Sequence, residues 1–249
     1  MRLELCTWLE VEDYLKRSSG LIIPVGSHEQ HGPMGLIGTD AICAQSVALG
    51  AAEIANCLVA PTICYTPAPF NLSFPGTISI SEGTFERLVG EMLDGLMPQG
   101  FKRIYFLNGH GANLAPLKRI AERVNGSGNG AIRVRSWWDF DEVNDLRAQF
   151  YGDWEGMHAT PSEVAITQAV SRVVQSNMAE APPKKLTADF IREHAGDRHG
   201  PPDQHRRDFP DGRVGSHSAL ARPEHGHSLL AAAKKAVAQD YLNWVESSV

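Results

Sequence analysis

The sequence has no long hydrophobic run and no excess of positive charge. None of its apolar stretches approaches the roughly 20 residues needed to cross a bilayer, and its N-terminus lacks the basic start and apolar stretch of a signal peptide. We therefore expect a cytoplasmic protein with no membrane partner. Because 29 aspartates and glutamates outnumber 23 lysines and arginines, for a net charge of -6, nucleic acid is not expected as a partner either.

Cysteine is also scarce, with four in 249 residues, at positions 6, 43, 57 and 64. They show no CxxC spacing and lie in apolar surroundings, so we expect reduced, buried thiols and neither disulfides nor a zinc knuckle. The chain also lacks the GxGxxG and GK[ST] motifs of nucleotide-binding loops. What it has in unusual number is histidine, with ten residues.

Short apolar segments alternate with helical patterns along most of the chain. Strands are predicted at 21–25, 58–64, 103–107 and 132–136, with a shorter one at 77–80. Helices are predicted at 41–54, from an N-cap at Thr84 to Gly100, and from the end of the 108–113 segment to Val124. Two further helices are predicted at 162–173 and 227–245. This alternation predicts the α/β class, as a three-layer α/β/α sandwich with a mostly parallel central sheet. We expect residues 1–249 to form one domain.

Residues 180–226 interrupt the pattern and are predicted to be an irregular loop region within that domain, because prolines recur there. Six of the ten histidines lie between residues 194 and 227. Their spacing fits no fixed metal-site pattern, so a solvated loop or a subunit contact is the favoured interpretation. A metal-binding tract is the alternative.

Polar side chains follow two different predicted strands. Glu29 and His31 come after the first strand, Asp40 stands nine residues further on, and His110 follows the strand at 103–107. Ligand sites in open α/β sheets lie outside the carboxyl ends of the strands, so these groups are expected at the same edge. Imidazoles with carboxylates, and no thiolate, suit Zn²⁺, Mn²⁺ or Fe²⁺.

Each of these residues also fits a purely structural role when it is taken alone. Asp40 can be the N-cap of the following helix, and Thr160-Pro161-Ser162-Glu163 fits a capping box that would occupy the Glu163 side chain. Glu29 and His31 can be solvated, and His110 can satisfy backbone groups in its turn. Only their joint placement favours a metal site.

At these residues the sequence resembles the creatininase family. The matching segments occur in family order and are Pro24-Val25-Gly26-Ser27-His28-Glu29-Gln30-His31-Gly32, Gly38-Thr39-Asp40, Phe74-Pro75-Gly76-Thr77, Asn108-Gly109-His110-Gly111 with Asn113, and His158-Ala159 with Glu163.

The resemblance implies a metal-dependent amidohydrolase of creatininase-like α/β/α fold. It would hydrolyse a non-peptide C–N bond of a small cyclic or linear amide, such as a creatinine-like lactam or a formamide, by metal-bound hydroxide. One or two divalent ions would be bound per chain, with zinc favoured and manganese or iron as alternatives. The implied metal ligands are Glu29, His31, Asp40, His110 and Glu163, with Asp40 bridging. A homo-oligomer, commonly a hexamer, is also implied.

The resemblance further implies that Glu163 and His158 transfer protons, and that His158 faces the substrate. Ser73, Gly111 and Trp154 are the other expected substrate contacts.

The main departure from the family pattern is at Gly111 and Ala112, which replace the tyrosine and the glutamate of creatininase's Asn-Gly-His-Tyr-Glu-Asn segment. Creatinine itself is therefore disfavoured as the substrate, and the last carboxylate ligand is expected from Glu163. Two other functions stay open: ring-opening hydrolysis of a C–C bond in an oxidised cyclitol on the same scaffold, and metal or ligand binding without turnover.

Overall fold

The computed structural model describes residues 1–246 and is built on a four-stranded parallel sheet. Its strands are β1 (Gly20–Val25), β2 (Leu58–Val59), β3 (Arg103–Asn108) and β4 (Ala131–Ser136). They lie in the order β2-β1-β3-β4, with every pairing parallel. The expected parallel sheet is therefore confirmed.

Nine α-helices accompany the strands within the described part of the chain. They are α1 (Trp8–Leu15), α2 (Thr39–Ala55), α3 (Glu82–Leu96), α4 (Leu114–Ser127), α5 (Asp141–Tyr151), α6 (Pro161–Val170), α7 (Ala188–Glu193), α8 (Pro202–Asp208) and α9 (Pro223–Glu246). None of the helices within residues 1–246 combines the length and apolar character needed to cross a bilayer.

Alternate residues of the strands supply two separate hydrophobic cores, one on each face of the sheet. Ile22 packs on one face with side chains of α2, α5, α6 and α9. Leu21 and Ile23 pack on the other face with side chains of α1, α3 and α4. Since successive side chains of a strand point to opposite faces, a strand that is buried throughout feeds both cores. The three-layer α/β/α arrangement is confirmed.

Two of the strand predictions were wrong in extent. The strand expected at 58–64 ends at Val59, and only an isolated bridge joins Ile63 to Val25. Pro61 lies between them, and proline has no N–H to donate to the ladder. No strand forms at 77–80, where Ile78 and Ser79 make isolated bridges only.

The helix predictions need five corrections. The cap of α3 is Ser81 and not Thr84, whose backbone N–H donates to the Ser81 side chain. Helix α6 ends at Val170, and α9 begins at Pro223. The 180–226 region is not entirely loop, because it contains α7 and α8. Helices α1 and α5 were not predicted, although α1 begins with a complete Thr7–Glu10 capping box.

All four cysteines are free thiols, as predicted. Their predicted burial holds for Cys43 and Cys57 but not for Cys6 and Cys64, which are partly exposed.

Candidate metal centre

The candidate ligands lie at the carboxyl ends of β1 and β3, close to the first turn of α2. Close backbone packing brings these elements together: a Cβ on Gly26 would lie 2.3 Å from the Ala41 nitrogen, and one on Gly109 would lie 2.5 Å from the Asp40 carbonyl oxygen. Side chains at either position would push β1 or β3 away from α2. Glycine there lets the loops that carry the acidic and imidazole groups converge.

Asp40 is the second residue of α2 and not its N-cap, a position taken by Gly38 without a side-chain hydrogen bond. Its carboxylate is free to face the interior, where it is 2% exposed. Glu163 does form the predicted capping box, since its Oε1 accepts from the Thr160 backbone N–H at 2.5 Å. The same oxygen lies 3.7 Å from His31 Nε2, so the capping role and a place in the site coexist.

Three groups of three buried side chains have donor atoms within 4.8 Å of one another. We call the first two site A and site B. Site A is Glu29, Asp40 and His110, and site B is His31, Asp40 and Glu163. The third group joins Glu29, His31 and His158. Asp40 belongs to both sites, which is the position expected of a bridging carboxylate.

In site A, His110 Nδ1 lies 3.0 Å from Glu29 Oε1 and 3.2 Å from Asp40 Oδ2. His110 Nε2 is 2.9 Å from the Pro67 carbonyl oxygen. A backbone carbonyl only accepts hydrogen bonds, so Nε2 carries a hydrogen, and Nδ1 can offer its lone pair to a cation between the two carboxylates once it has lost its own proton. Neither carboxylate oxygen has another hydrogen-bond partner.

Site B repeats this arrangement with the roles of the two ring nitrogens exchanged. His31 Nδ1 donates to the Glu29 carbonyl oxygen at 3.1 Å, and Nε2 faces Asp40 Oδ1 at 2.9 Å. A lone pair against a carboxylate oxygen is repulsive unless a cation lies between them. Two ligands of one Zn²⁺ ion, each about 2 Å from it, are about 3 to 4 Å apart. The donor atoms and their spacing therefore fit divalent ions.

The pKa values in the metal-free site show how strongly it attracts positive charge. Burial lowers the pKa of His31, but the charge of Asp40 and its hydrogen bond outweigh burial and raise the pKa to about 10. For His110, burial is outweighed by Glu29 and Asp40, and the pKa lies well above its usual value. Burial raises the pKa of Glu163 to about 8 against the opposing effect of His31. Protons thus occupy the places that fit cations.

His158 differs from the other two histidines of the centre. Burial lowers its pKa to about 4 despite the nearby charge of Glu29, so the ring is neutral at neutral pH. Its Nε2 lies 2.7 Å from the Gln30 carbonyl oxygen, and its Nδ1 lies 3.6 Å from Glu29 Oε1. Asn71, which the sequence did not single out, donates to Glu29 Oε2 at 2.9 Å and fixes that carboxylate.

A cavity of about 180 Å³ opens onto both sites. Asp40, His110, His158 and Glu163 line it, and so does Gly111, one of the expected substrate contacts. Its remaining wall includes Trp137, Trp138, Arg147 and Asp197.

Two expected substrate contacts are absent from the lining of this cavity. Ser73 lies on the outer side, where its hydroxyl donates to Asp203 at 2.6 Å. Trp154 packs against His217 and under the Lys185 ammonium. Their positions in the sequence suggested contacts with this cavity, but the side chains of both residues contact other parts of the protein.

Comparison with known proteins gives a family model described as creatininase, creatinine amidohydrolase, which matches residues 4–241. A 3-dehydro-scyllo-inosose hydrolase of Thermotoga maritima is 33% identical over 106 residues, covering 42% of this chain and 34% of that protein. A mycofactocin precursor peptide peptidase of Mycolicibacterium smegmatis is 34% identical over 117 residues, covering 45% and 47%. The chain thus spans half or less of the length of these two relatives.

A creatinine amidohydrolase of Pseudomonas putida is 28% identical over 203 residues, covering 71% of this chain and 77% of that protein. Among solved structures, a crystal structure of creatininase superposes with a TM-score of 0.76 at 22% identity, covering 99% of this chain and 98% of the other. A creatininase structure with Mn gives 0.76 at 23% identity and covers 99% of each chain. The fold is shared throughout, and the chain belongs to the creatininase family.

Proposed function

We propose that this protein is a metal-dependent hydrolase that cleaves a non-peptide C–N bond in a small amide, with divalent ions held at sites A and B. The observation that carries the proposal is that His31 and His110 each turn one ring nitrogen toward carboxylate oxygens that have no other hydrogen-bond partner. Membership of the creatininase family and the creatinine amidohydrolase relative support amide hydrolysis as the reaction.

The donor set supports zinc, with manganese or iron as alternatives, because it combines imidazole and carboxylate groups without a thiolate. The manganese-containing creatininase structure supports manganese as a second choice. When bound, such ions polarise a carbonyl group and provide a nucleophile from water at neutral pH.

The protein's own side chains would divide the remaining work. Glu163 lines the cavity and is held there by the Thr160 backbone N–H, so its carboxylate would be placed to take a proton and return it to the leaving nitrogen. His158, neutral and facing the same cavity, would hold the substrate without adding charge. Trp137 and Trp138 would provide apolar walls for a small, flat molecule.

A metal analysis tests the centre directly. Protein purified without added metal or a histidine tag should contain close to two ions per chain by plasma emission. His110→Ala should lose the ion of site A, and Asp40→Asn should lose both. His227→Ala, which removes an exposed imidazole, should change nothing. Wild-type protein that contains no metal and takes up neither Zn²⁺ nor Mn²⁺ would contradict the proposal.

The reaction is tested by a substrate panel of small lactams, formamides, short peptides and oxidised cyclitols. Turnover of a lactam or formamide that disappears in Asp40→Asn is the expected result. Opening of a cyclitol ring is a second candidate, favoured by the inosose hydrolase relative. Tight binding of metal with no turnover of any class would favour the non-catalytic alternative.

We also propose a homo-oligomer. Leu5, Trp8 and Leu9 are 71%, 72% and 57% exposed near the N-terminus, and such apolar side chains are commonly covered in assemblies. Light scattering of the purified protein would give the subunit number, and a monomer would overturn this point.

A further inference from the structure

Residues 187–209, which we call the histidine-rich segment, pack next to site A and contribute Gly196 and Asp197 to the wall of the cavity. Phe70 connects the two, because its ring is 4.8 Å from His199, 5.0 Å from His205 and 6.5 Å from His110. The segment is also held by the Ser73–Asp203 hydrogen bond described above. It therefore packs directly against the centre.

Asp197 brings a carboxylate from this segment to His110. Its backbone has φ +55° and follows Gly196 at φ +75°, a pair of left-handed residues that turns the chain sharply. The Asp197 side chain is only 9% exposed, and its Oδ2 lies 3.6 Å from His110 Nδ1. That nitrogen is the atom that faces Glu29 and Asp40 in site A.

Gly111 provides the room for this carboxylate. A Cβ at position 111 would lie 2.2 Å from Asp197 Oδ2 and 2.8 Å from its Cγ, closer than any side chain allows. The φ of Gly111 is not positive, so its backbone does not require glycine. A side chain at position 111 would therefore require the Asp197 carboxylate to move.

We infer that the Asp197 carboxylate supports cation binding at site A through its place beside His110, and that the absence of a side chain at Gly111 leaves room for it. The inference rests on the proposed function, since it assigns a residue to the same centre. Asp197 lies outside the groups whose donor atoms are all within 4.8 Å of one another, so it strengthens cation binding from the cavity side of His110. Sites A and B then differ, because the third carboxylate belongs to site A alone.

Asp197→Asn isolates the charge, because asparagine has the same shape and tolerates left-handed backbone. Mn²⁺ titration of chelator-treated protein, with free Mn²⁺ measured by electron paramagnetic resonance, gives the affinities of both sites. We expect affinity at one site to fall about 10- to 100-fold, as for other residues that support metal ligands, with the second site unchanged. Asp208→Asn, which alters an exposed carboxylate on the same segment, should bind Mn²⁺ like the wild type.

Gly111→Ala supplies an independent arm. Its methyl group displaces Asp197, so it should weaken the same site, and the double variant should bind no more weakly than the single ones. Gly95→Ala is the matched control, because a Cβ there meets nothing within 4 Å. Circular dichroism of each variant confirms folding.

The Mn²⁺ titrations distinguish a failure of the proposed metal centre from a failure of the Asp197 assignment. If His110→Ala retains both sites, the proposed centre itself is wrong. If His110→Ala loses one site while Asp197→Asn binds Mn²⁺ within twofold of the wild type, the centre stands and the assignment of Asp197 is overturned.

Discussion

Two regions of this molecule are rich in histidine and carboxylate groups, yet within the described residues only one of them contains histidines that belong to a candidate metal-binding group. At the ends of β1 and β3, His31 and His110 each donate one ring N–H to a backbone carbonyl and turn the other nitrogen toward carboxylates. In the histidine-rich segment, His194 stacks on Phe190 and on His199, and the ring of His199 lies tilted against that of His205. Composition is similar in the two regions, but ring orientation differs.

The difference shows what the sheet contributes. Strand ends are fixed by a fully paired ladder, so loops that leave them can hold several donor atoms at ligand distances. The histidine-rich segment is anchored by side-chain contacts, and its His199 Nε2 and His205 Nε2 have no hydrogen-bond partner. None of its histidines joins a group of three donor atoms within the described residues. Histidine content alone therefore does not predict a metal site.

Asp40→Asn should have the largest effect, since Asp40 belongs to both sites. We expect both ions to be lost and hydrolytic activity to fall to background, because His31 and His110 then lose the one charged carboxylate that they share. Metal content and turnover of the best amide from the panel are the measurements. An Asp40→Asn protein that keeps one ion and measurable turnover would show that Asp40 does not bridge.

Gly109→Ala tests the close packing that brings the strand ends to α2. Its methyl group would press on the Asp40 carbonyl oxygen, and overpacking of this kind costs about 1–3 kcal/mol. We expect a lower free energy of unfolding in denaturant titrations together with reduced metal content. Gly95→Ala should be neutral or slightly stabilising. Normal metal content in Gly109→Ala would mean that the loops tolerate a shift.

The sequence predicted the parts of the fold that repeat a simple pattern. Strands β1, β3 and β4 are continuous runs, mostly buried, bounded by loops, so their positions were predicted to within a residue or two. β2 was overextended because Pro61 ends the pairing, and pairing partners are not visible in one sequence. Helices α7 and α8 escaped prediction because they are short, at six and seven residues, and because α8 has no apolar residue besides Pro202.

The same limit applies to the candidate site, where the residues that follow strand ends were predicted and those in irregular segments were not. Glu29, His31, Asp40 and His110 came together as expected, since each is tied to a strand end or to the helix that follows one. Asp197 was missed because its approach depends on two left-handed residues in an irregular segment, which no periodicity reveals. Ser73 and Trp154 do not line the cavity, because side-chain direction in loops does not follow from spacing, and their contact with substrate stays a prediction.

Metal binding should strengthen as the pH rises. His31, with a pKa of about 10, and His110, with a raised pKa, both carry protons in the metal-free protein at neutral pH. An ion must displace those protons, so affinity should increase about tenfold per pH unit for each proton released. Mn²⁺ titrations between pH 6 and pH 8 measure the slope, and calorimetry in buffers of different ionisation enthalpy counts the protons. An affinity independent of pH would show that the imidazoles are already neutral.

The smallest effect is expected from His205→Phe in the histidine-rich segment. Burial, followed by the charge of His199, lowers the pKa of His205 to about 4. The unfolded chain therefore binds more protons between about pH 6.5 and pH 4, and stability falls as the pH is lowered through that window. Phenylalanine preserves the ring contacts with Phe70 and Phe209 but cannot take up a proton.

Denaturant titrations at pH 7 and pH 5 should show a smaller loss of stability in the His205→Phe variant than in the wild type. Part of the pH dependence should remain, because His158 also has a lowered pKa. Metal content should equal that of the wild type, because the His205 ring belongs to the stacked region and not to the cation-binding one. A variant that loses metal would show that the two regions are coupled more closely than their ring orientations indicate.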